Sequence, residues 1–201
     1  VGVVFLDITM SLDGYIAGKD DDVERLHDWI VDFKTGAFKS SGVLNELFER
    51  TGAIVAGRRV YELTSGWDGS HPIRGVPVFV LSHGNPDSVP QGETAFTFVS
   101  KGIEAAIREA KKAAGDKDVY VLGGASVAQQ CLRASLLDEI DVHIAPVLLA
   151  QGIRLFNSIG HDCIRLELSR SLEAQGTTHL RYRVIRLESR HSNNGTSFHC
   201  V

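Results

Sequence analysis

The sequence predicts an α/β fold with a mostly parallel sheet and an antiparallel edge. Three observations carry this. Apolar, β-prone runs alternate with segments of helical periodicity along the chain. Two of these runs, Ala53–Ala56 and Val119–Leu122, end in glycine and lead straight into a helical segment, as a buried parallel strand leads into its crossover helix. Near the end, Cys163–Ala174 and Thr177–Glu188 flank Gln175-Gly176, as two antiparallel strands flank a tight turn.

Taken in order, Val1–Met10 is a largely apolar first strand, Ser11-Leu12-Asp13-Gly14 a turn, and Tyr15-Ile16-Ala17-Gly18 the exit from it. Lys19–Asp22 is a charged loop. Apolar residues at 23, 26, 29, 30 and 33 give Val23–Phe33 helical spacing. Ser40 or Ser41 caps a second helix that runs to Arg50. Ala53–Ala56 is a strand, Arg58–Thr64 a helix, and Gly66–Gly75 a loop holding Trp67, His71 and Pro72. Pro77–Leu81 and Thr94–Val99 are strands separated by a turn-rich loop. Ser100 caps a helix with Ile103, Ala106, Ile107, Ala110 and Ala114 on one face. Val119–Leu122, the helix to Arg133 and the strand Leu137–Val147 complete the pattern before the hairpin. The chain reads as one domain over 1–188 with a polar, Gly/Asn-rich tail over 189–201.

Composition narrows the function. The 201 residues carry a formal net charge of −4 and a pI near 6.1, with no basic block, so nucleic acid is not an expected partner. No apolar run reaches the roughly 18 residues of a membrane span, and no signal pattern opens the chain. Three widely spaced cysteines, Cys131, Cys163 and Cys200, suggest a reducing, cytoplasmic setting without a disulfide framework. Neither C-x-x-C nor H-E-x-x-H occurs, so no metal is expected.

The chemistry is concentrated at strand ends. In Val119-Tyr120-Val121-Leu122-Gly123-Gly124-Ala125-Ser126 a strand runs through two glycines into a helix N-terminus. Unpaired amides and the helix dipole attract anions there, and glycine admits a phosphate close to the backbone. The motif is not G-x-G-x-x-G, which argues against an ordinary dinucleotide half-domain. Gly57-Arg58-Arg59-Val60-Tyr61-Glu62 repeats the arrangement, with two arginines where the helix dipole disfavours them; a phosphate would explain their position. Leu81-Ser82-His83-Gly84 is a third strand end, suited to a ribose phosphate or to a plain turn. Asp7 and Asp13 bracket the first strand and its turn, and on its own residues Asp13 reads as a turn carboxylate. Asp28, in His27-Asp28-Trp29, either reaches a pocket or is a solvated helix residue. Trp29 and Phe33 either wall that pocket or pack in the core. Trp67 covers a pocket or anchors its loop. Asp141 and His143 share a strand face, where a satisfied histidine is the ordinary outcome.

Met10–Ala17, Gly57–Glu62, Val121–Ser126 and Ile144-Ala145-Pro146-Val147-Leu148-Leu149, in this order, resemble the dihydrofolate-reductase-like superfamily, and within it the reductase domain of riboflavin biosynthesis and its stand-alone relatives. The resemblance spans about Val3 to Val184. It implies a three-layer fold around an eight-stranded, mostly parallel sheet, with NADPH across the carboxyl edge. Leu122, Gly123, Gly124, Ala125, Ser126 and Val127 would then cradle the pyrophosphate. Gly57, Arg58, Arg59 and Ser82 would face the phosphates, and Ile16 and Ala17 the nicotinamide. The resemblance makes Asp13 or Asp28 the candidate catalytic acid, and Trp29, Phe33 and Trp67 the walls of the substrate pocket. It implies an NADPH-dependent reductase acting on a small pterin- or pyrimidine-like heterocycle or a C=N or C=O bond, related to 5-amino-6-(5-phosphoribosylamino)uracil reductase and dihydrofolate reductase. A non-catalytic NADP(H)-binding module is the alternative. The apolar alternation of the last two strands, and the habit of the family it resembles, point to a homodimer.

Overall fold

The computed structural model describes residues 2–39, 41–157, 159–160 and 163–185. Its strands and helices, in chain order, are β1 (Val4–Ser11), β2 (Tyr15–Ala17), α1 (Glu24–His27), β3 (Val31–Asp32), β4 (Ala37–Phe38), α2 (Gly42–Arg50), β5 (Thr51–Gly57), α3 (Arg58–Leu63), β6 (Val78–Leu81), β7 (Phe96–Val99), α4 (Ile103–Ala114), β8 (Asp118–Gly123), α5 (Ala125–Arg133), β9 (Glu139–Ala145), β10 (Ile153–Arg154), β11 (Arg165–Ala174) and β12 (Thr177–Ile185). Eight strands form one sheet in the order β11-β12-β9-β1-β8-β5-β6-β7. From β9 to β7 every neighbouring pair is parallel; β12 joins β9, and β11 joins β12, antiparallel.

Strand alternation sends successive side chains to opposite layers. Val4, Leu6, Val119 and Val121 face α4 and α5, packing on Ala106, Ile107, Ala110, Val127, Ala128 and Cys131. Phe5, Ile54, Val78, Val80 and Tyr120 face the other way, against Trp29, Leu44, Leu47 and Tyr61. The Phe5 and Tyr120 rings stack at 5.5 Å. Both faces of the central strands are therefore buried, which explains their continuous apolar runs. Arg50, at the end of α2, is the polar hub of the second layer. Its guanidinium pairs with Asp118 and Glu139 at 2.7 Å and Asp141 at 3.4 Å, and lies 4.0 Å from the Phe5 ring centre. Arg181 in turn binds Asp141 and Glu46.

Local chemistry bears out some expectations and corrects others. Ser41 accepts from Leu44 N and caps α2; Ser40 lies outside the described residues. Gln175 and Gly176 both take positive φ, 52° and 72°, as a two-residue hairpin turn requires. The helix expected over Val23–Phe33 stops at His27. Asp32 accepts from Lys34 N and Gly36 takes φ +71°, so the chain folds back into the β3–β4 hairpin instead. Ser100 does not cap α4; Gly102, at φ +90°, holds that place without a side-chain bond. β2 pairs with β10, a ribbon the periodicity did not signal. Cys131 is free and buried, and burial pushes its thiol up to about 12. Cys163 is disulfide-bonded, against the expectation of a chain without a disulfide framework. The tail expected over 189–201 lies outside the described residues. Among these, no helix is long and apolar enough to cross a membrane.

Candidate functional site

The sheet splits at β5 and β8. The helix after β5, α3, packs on one face; the helix after β8, α5, packs on the other. Two adjacent parallel strands thus send their chains to opposite sides, and a crevice opens at their carboxyl ends. It is occupied by a cavity of about 1410 Å³, larger than the roughly 300–1,000 Å³ typical of a single small-molecule site.

One half of the cavity is lined with groups suited to phosphate. The N–H groups of Val127 and Ala128 make the first α5 bonds, to Gly124 O, so the amides of Ala125 and Ser126 stand ahead of the helix ladder. Gly123 takes φ +97°, which an L side chain resists, and its peptide bond to Gly124 is cis. A Cβ on Gly57 would stand 3.1 Å from Val127 Cγ2, so a side chain there would press on α5. Arg58 donates through Nε to Glu62 at 2.6 Å and through a terminal nitrogen to Ser82 Oγ and Gly84 O, which holds the guanidinium along the cavity wall. Arg59 is different. Both its Nε and a terminal nitrogen bind the Asp21 carboxylate, and that pairing raises its pKa further.

The other half is apolar and aromatic with a polar floor. Asp7 and Thr9 project from β1 to the same face as Phe5, and Tyr120 and Leu122 project from β8 beside them. Trp29 Nε1 donates to Thr9 Oγ1 at 3.1 Å. This bond seats the indole over the sheet, with His143 and His179 at 4.6 and 4.7 Å from its ring centre. His27 lines the same wall, and burial pushes its imidazole down to about 4, aided by the nearby His143. Trp67 stands edge-on to His71 at 4.6 Å and closes the far side. His71 accepts from Ile73 N, and burial pushes its imidazole down to about 4 as well.

The cavity brings together Ile16, Ala17, Gly57, Arg58, Arg59, Ser82, Leu122, Gly124, Ala125, Ser126, Val127, Trp29 and Trp67. Gly123, Asp13, Asp28 and Phe33 are not in its lining. The Asp13 carboxylate accepts from Ser11 Oγ at 2.6 Å, Ala150 N at 2.8 Å and Leu149 N at 3.1 Å. The Ser11 hydroxyl and these two amides hold it down to about 2, so it is a fixed anion that clamps the 147–150 loop to the β1 turn. Asp28 is exposed, and its backbone carbonyl accepts from Lys39. Phe33 is exposed at the β3–β4 turn. Two acids do border the cavity: Asp21, paired with Arg59, and Asp7, only 7% exposed. Its signal was a single charge inside an apolar strand, on the same side as Thr9 by period 2. His27 and Asp21 were also missed as wall residues.

The model of the family described as the RibD C-terminal domain matches residues 3–180. The uncharacterized protein YwjB of Bacillus subtilis is 26% identical over 157 residues, covering 78% of this chain and 84% of its own. The crystal structure of a putative riboflavin biosynthesis protein from Shewanella sp. PV-4 is 26% identical and superposes with a TM-score of 0.73, covering 92% of this chain and 99% of its own. Dihydrofolate reductase from Enterococcus faecalis, solved in complex with NADP(H), shares the fold at 14% identity, with a TM-score of 0.58 over 91% of this chain and 96% of its own.

Proposed function

Because the chain belongs to the RibD C-terminal domain family, we propose that it is a reductase that uses NADPH. The observation that carries the reading is the convergence of phosphate-suited groups on one cavity at the sheet's switch point. The residues fit the cofactor. A Cβ on Gly124 would lie 3.8 Å from Val60 Cγ2 and 3.9 Å from Ile16 Cδ1, so glycine leaves open the space between the diphosphate cradle and the β2 strand. Gly124, Ala125, Ser126 and Val127 would hold the diphosphate on α5 amides. Arg58, with Ser82, would meet the 2′-phosphate, and Arg59 would join it on parting from Asp21. Ile16 and Ala17 would meet the nicotinamide, which supplies a hydride when bound reduced.

The aromatic half takes the substrate: a flat, electron-poor heterocycle of pterin or pyrimidine type, or a compound with a C=N or C=O bond. Trp29 and Trp67 present ring faces and edges to it, and the buried floor strengthens every polar contact made there. Exposed Leu166 and Leu168 on the edge strand β11 support a homodimer. The test is loss of NADPH absorbance in the presence of pterin, pyrimidine, imine and carbonyl candidates. Turnover of any of them supports a reductase. Tight binding of NADPH that none of them oxidises would favour the binding-module alternative.

A further inference from the structure

Beneath the substrate half lies a buried polar chain that the cofactor does not use. His143 Nε2 is 3.1 Å from Asp7 Oδ1, His143 Nδ1 is 2.8 Å from His179 Nδ1, and His179 Nε2 is 3.3 Å from Ala174 O. Asp7, His143 and His179 are each at most 7% exposed. The proton positions follow from the partners. A carbonyl only accepts, so His179 Nε2 carries a proton and, in the neutral ring, Nδ1 is bare. His143 must then donate through Nδ1, which leaves its Nε2 bare in the neutral ring. Nε2 faces a carboxylate oxygen. Two acceptors at 3.1 Å repel each other, so one further proton must reside on Asp7 or on His143. The Asp7 oxygen lies off the ring's N–H axis, so Nε2 has no aligned hydrogen bond and the shared proton is not locked between the two groups.

We infer that Asp7, with His143 as its proton store, is the acid that protonates the substrate, and that His179 is the positioning residue that sets the tautomer of His143. The inference rests on the reductase reading. The reduction joins one hydride, from reduced nicotinamide, and one proton, from Asp7, to the two ends of a C=N or C=O bond. The π bond breaks, a C–H bond and an N–H or O–H bond form, and the two electrons would come with the hydride of the reduced cofactor that Ile16 and Ala17 would face. Asp7 is left as a carboxylate. A second cavity of about 20 Å³ touches Asp7, His143 and His179; that is about the space of one water, through which the proton returns. A metal is not the natural occupant, because the two ring nitrogens already touch and no metal-holding cluster exists among the described residues. The charged and titratable groups packed around the pair are His27, Tyr120, Asp141, Arg170, Arg181, Arg50 and Glu46.

The test has two arms. In the ligand-free protein, imidazole ¹⁵N NMR should show Nδ1 of His143 protonated and Nδ1 of His179 bare. His143 protonated only at Nε2 would overturn the proposal, because no spare proton would then be needed. In turnover, Asp7→Asn should leave the NADPH Kd within about two-fold and lower kcat by roughly 100-fold or more, the range of a lost general acid. His179→Phe should lower kcat less and shift its pH profile. A wild type that oxidises NADPH no faster than Asp7→Asn does would overturn the acid assignment alone. A wild type that binds no NADPH would overturn the reductase reading, and the acid role with it. If Asp7→Asn fails to fold, the NMR arm on the wild type decides.

Discussion

Acidification should destabilise this protein well above the range where carboxylates titrate, and His71 is the group on which to test it. The ring is 6% exposed, accepts from Ile73 N at 3.1 Å and meets the Trp67 edge. Burial lowers its pKa from 6.5 to about 4. The folded value is depressed, so the stabilisation is present above 6.5 and is lost as pH falls toward 4. At 1.36 kcal/mol per unit, the His71 contribution falls by roughly 2 kcal/mol between pH 7 and pH 5. For a chain of this size that is about 4–8 °C in Tm. His27 and His179, also lowered by burial, act with the same sign. Asp13, Asp32 and Glu46 are lowered from their ordinary carboxylate values, away from this window. The assay is thermal melting followed by circular dichroism at pH 7, 6 and 5, on the wild type and on His71→Asn, whose amide oxygen can accept from Ile73 N in place of Nδ1. The variant should start lower, from the lost Trp67 contact, and lose about 4–8 °C less than the wild type over the same interval. Equal losses in the two proteins would refute the reasoning.

Arg50→Met should keep the aliphatic packing on Phe5 but take the guanidinium from Asp118 and Glu139, leaving Asp141 to Arg181, and lower stability by about 3 kcal/mol in urea titration; less than about 1 kcal/mol would mean the network is solvated. Asp13→Asn and Asp28→Asn should both keep turnover far from the roughly 100-fold loss expected of a missing acid, since neither borders the cavity, while Asp13→Asn should lower Tm by loosening the 147–150 loop. Light scattering should give twice the 21.9 kDa chain mass, and Leu168→Lys should give the monomer; a monomeric wild type would remove the dimer.

Much of this could be read in the sequence because it rests on local rules. The glycine-terminated strands β5 and β8 marked the phosphate-suited turns: Gly57, Arg58, Gly124 and Ser126 line one cavity. The hairpin at Gln175-Gly176 followed from turn chemistry. What escaped was tertiary. Asp13 carries the more conspicuous motif, but its carboxylate is consumed by backbone amides more than 130 positions away, Leu149 and Ala150. Asp7 looked like a lone charge in a strand until β9 and β12 brought His143 and His179 alongside it. The Val23–Phe33 periodicity was real for Leu26 and Trp29, which are buried, and misleading for Phe33, which the Asp32–Gly36 turn carries out to solvent.

The central claim is that this cavity holds NADPH, with Arg58 reading its 2′-phosphate. The most direct measurement is a fluorescence titration with NADPH and NADH on the wild type and Arg58→Ala. The account predicts micromolar NADPH binding, clearly weaker NADH binding, and a preference that falls by about 10- to 100-fold in the variant, the worth of one or two charge-assisted hydrogen bonds. Equal affinity for the two dinucleotides, untouched by Arg58→Ala, would contradict the phosphate assignment, and no binding of either would contradict the cofactor itself.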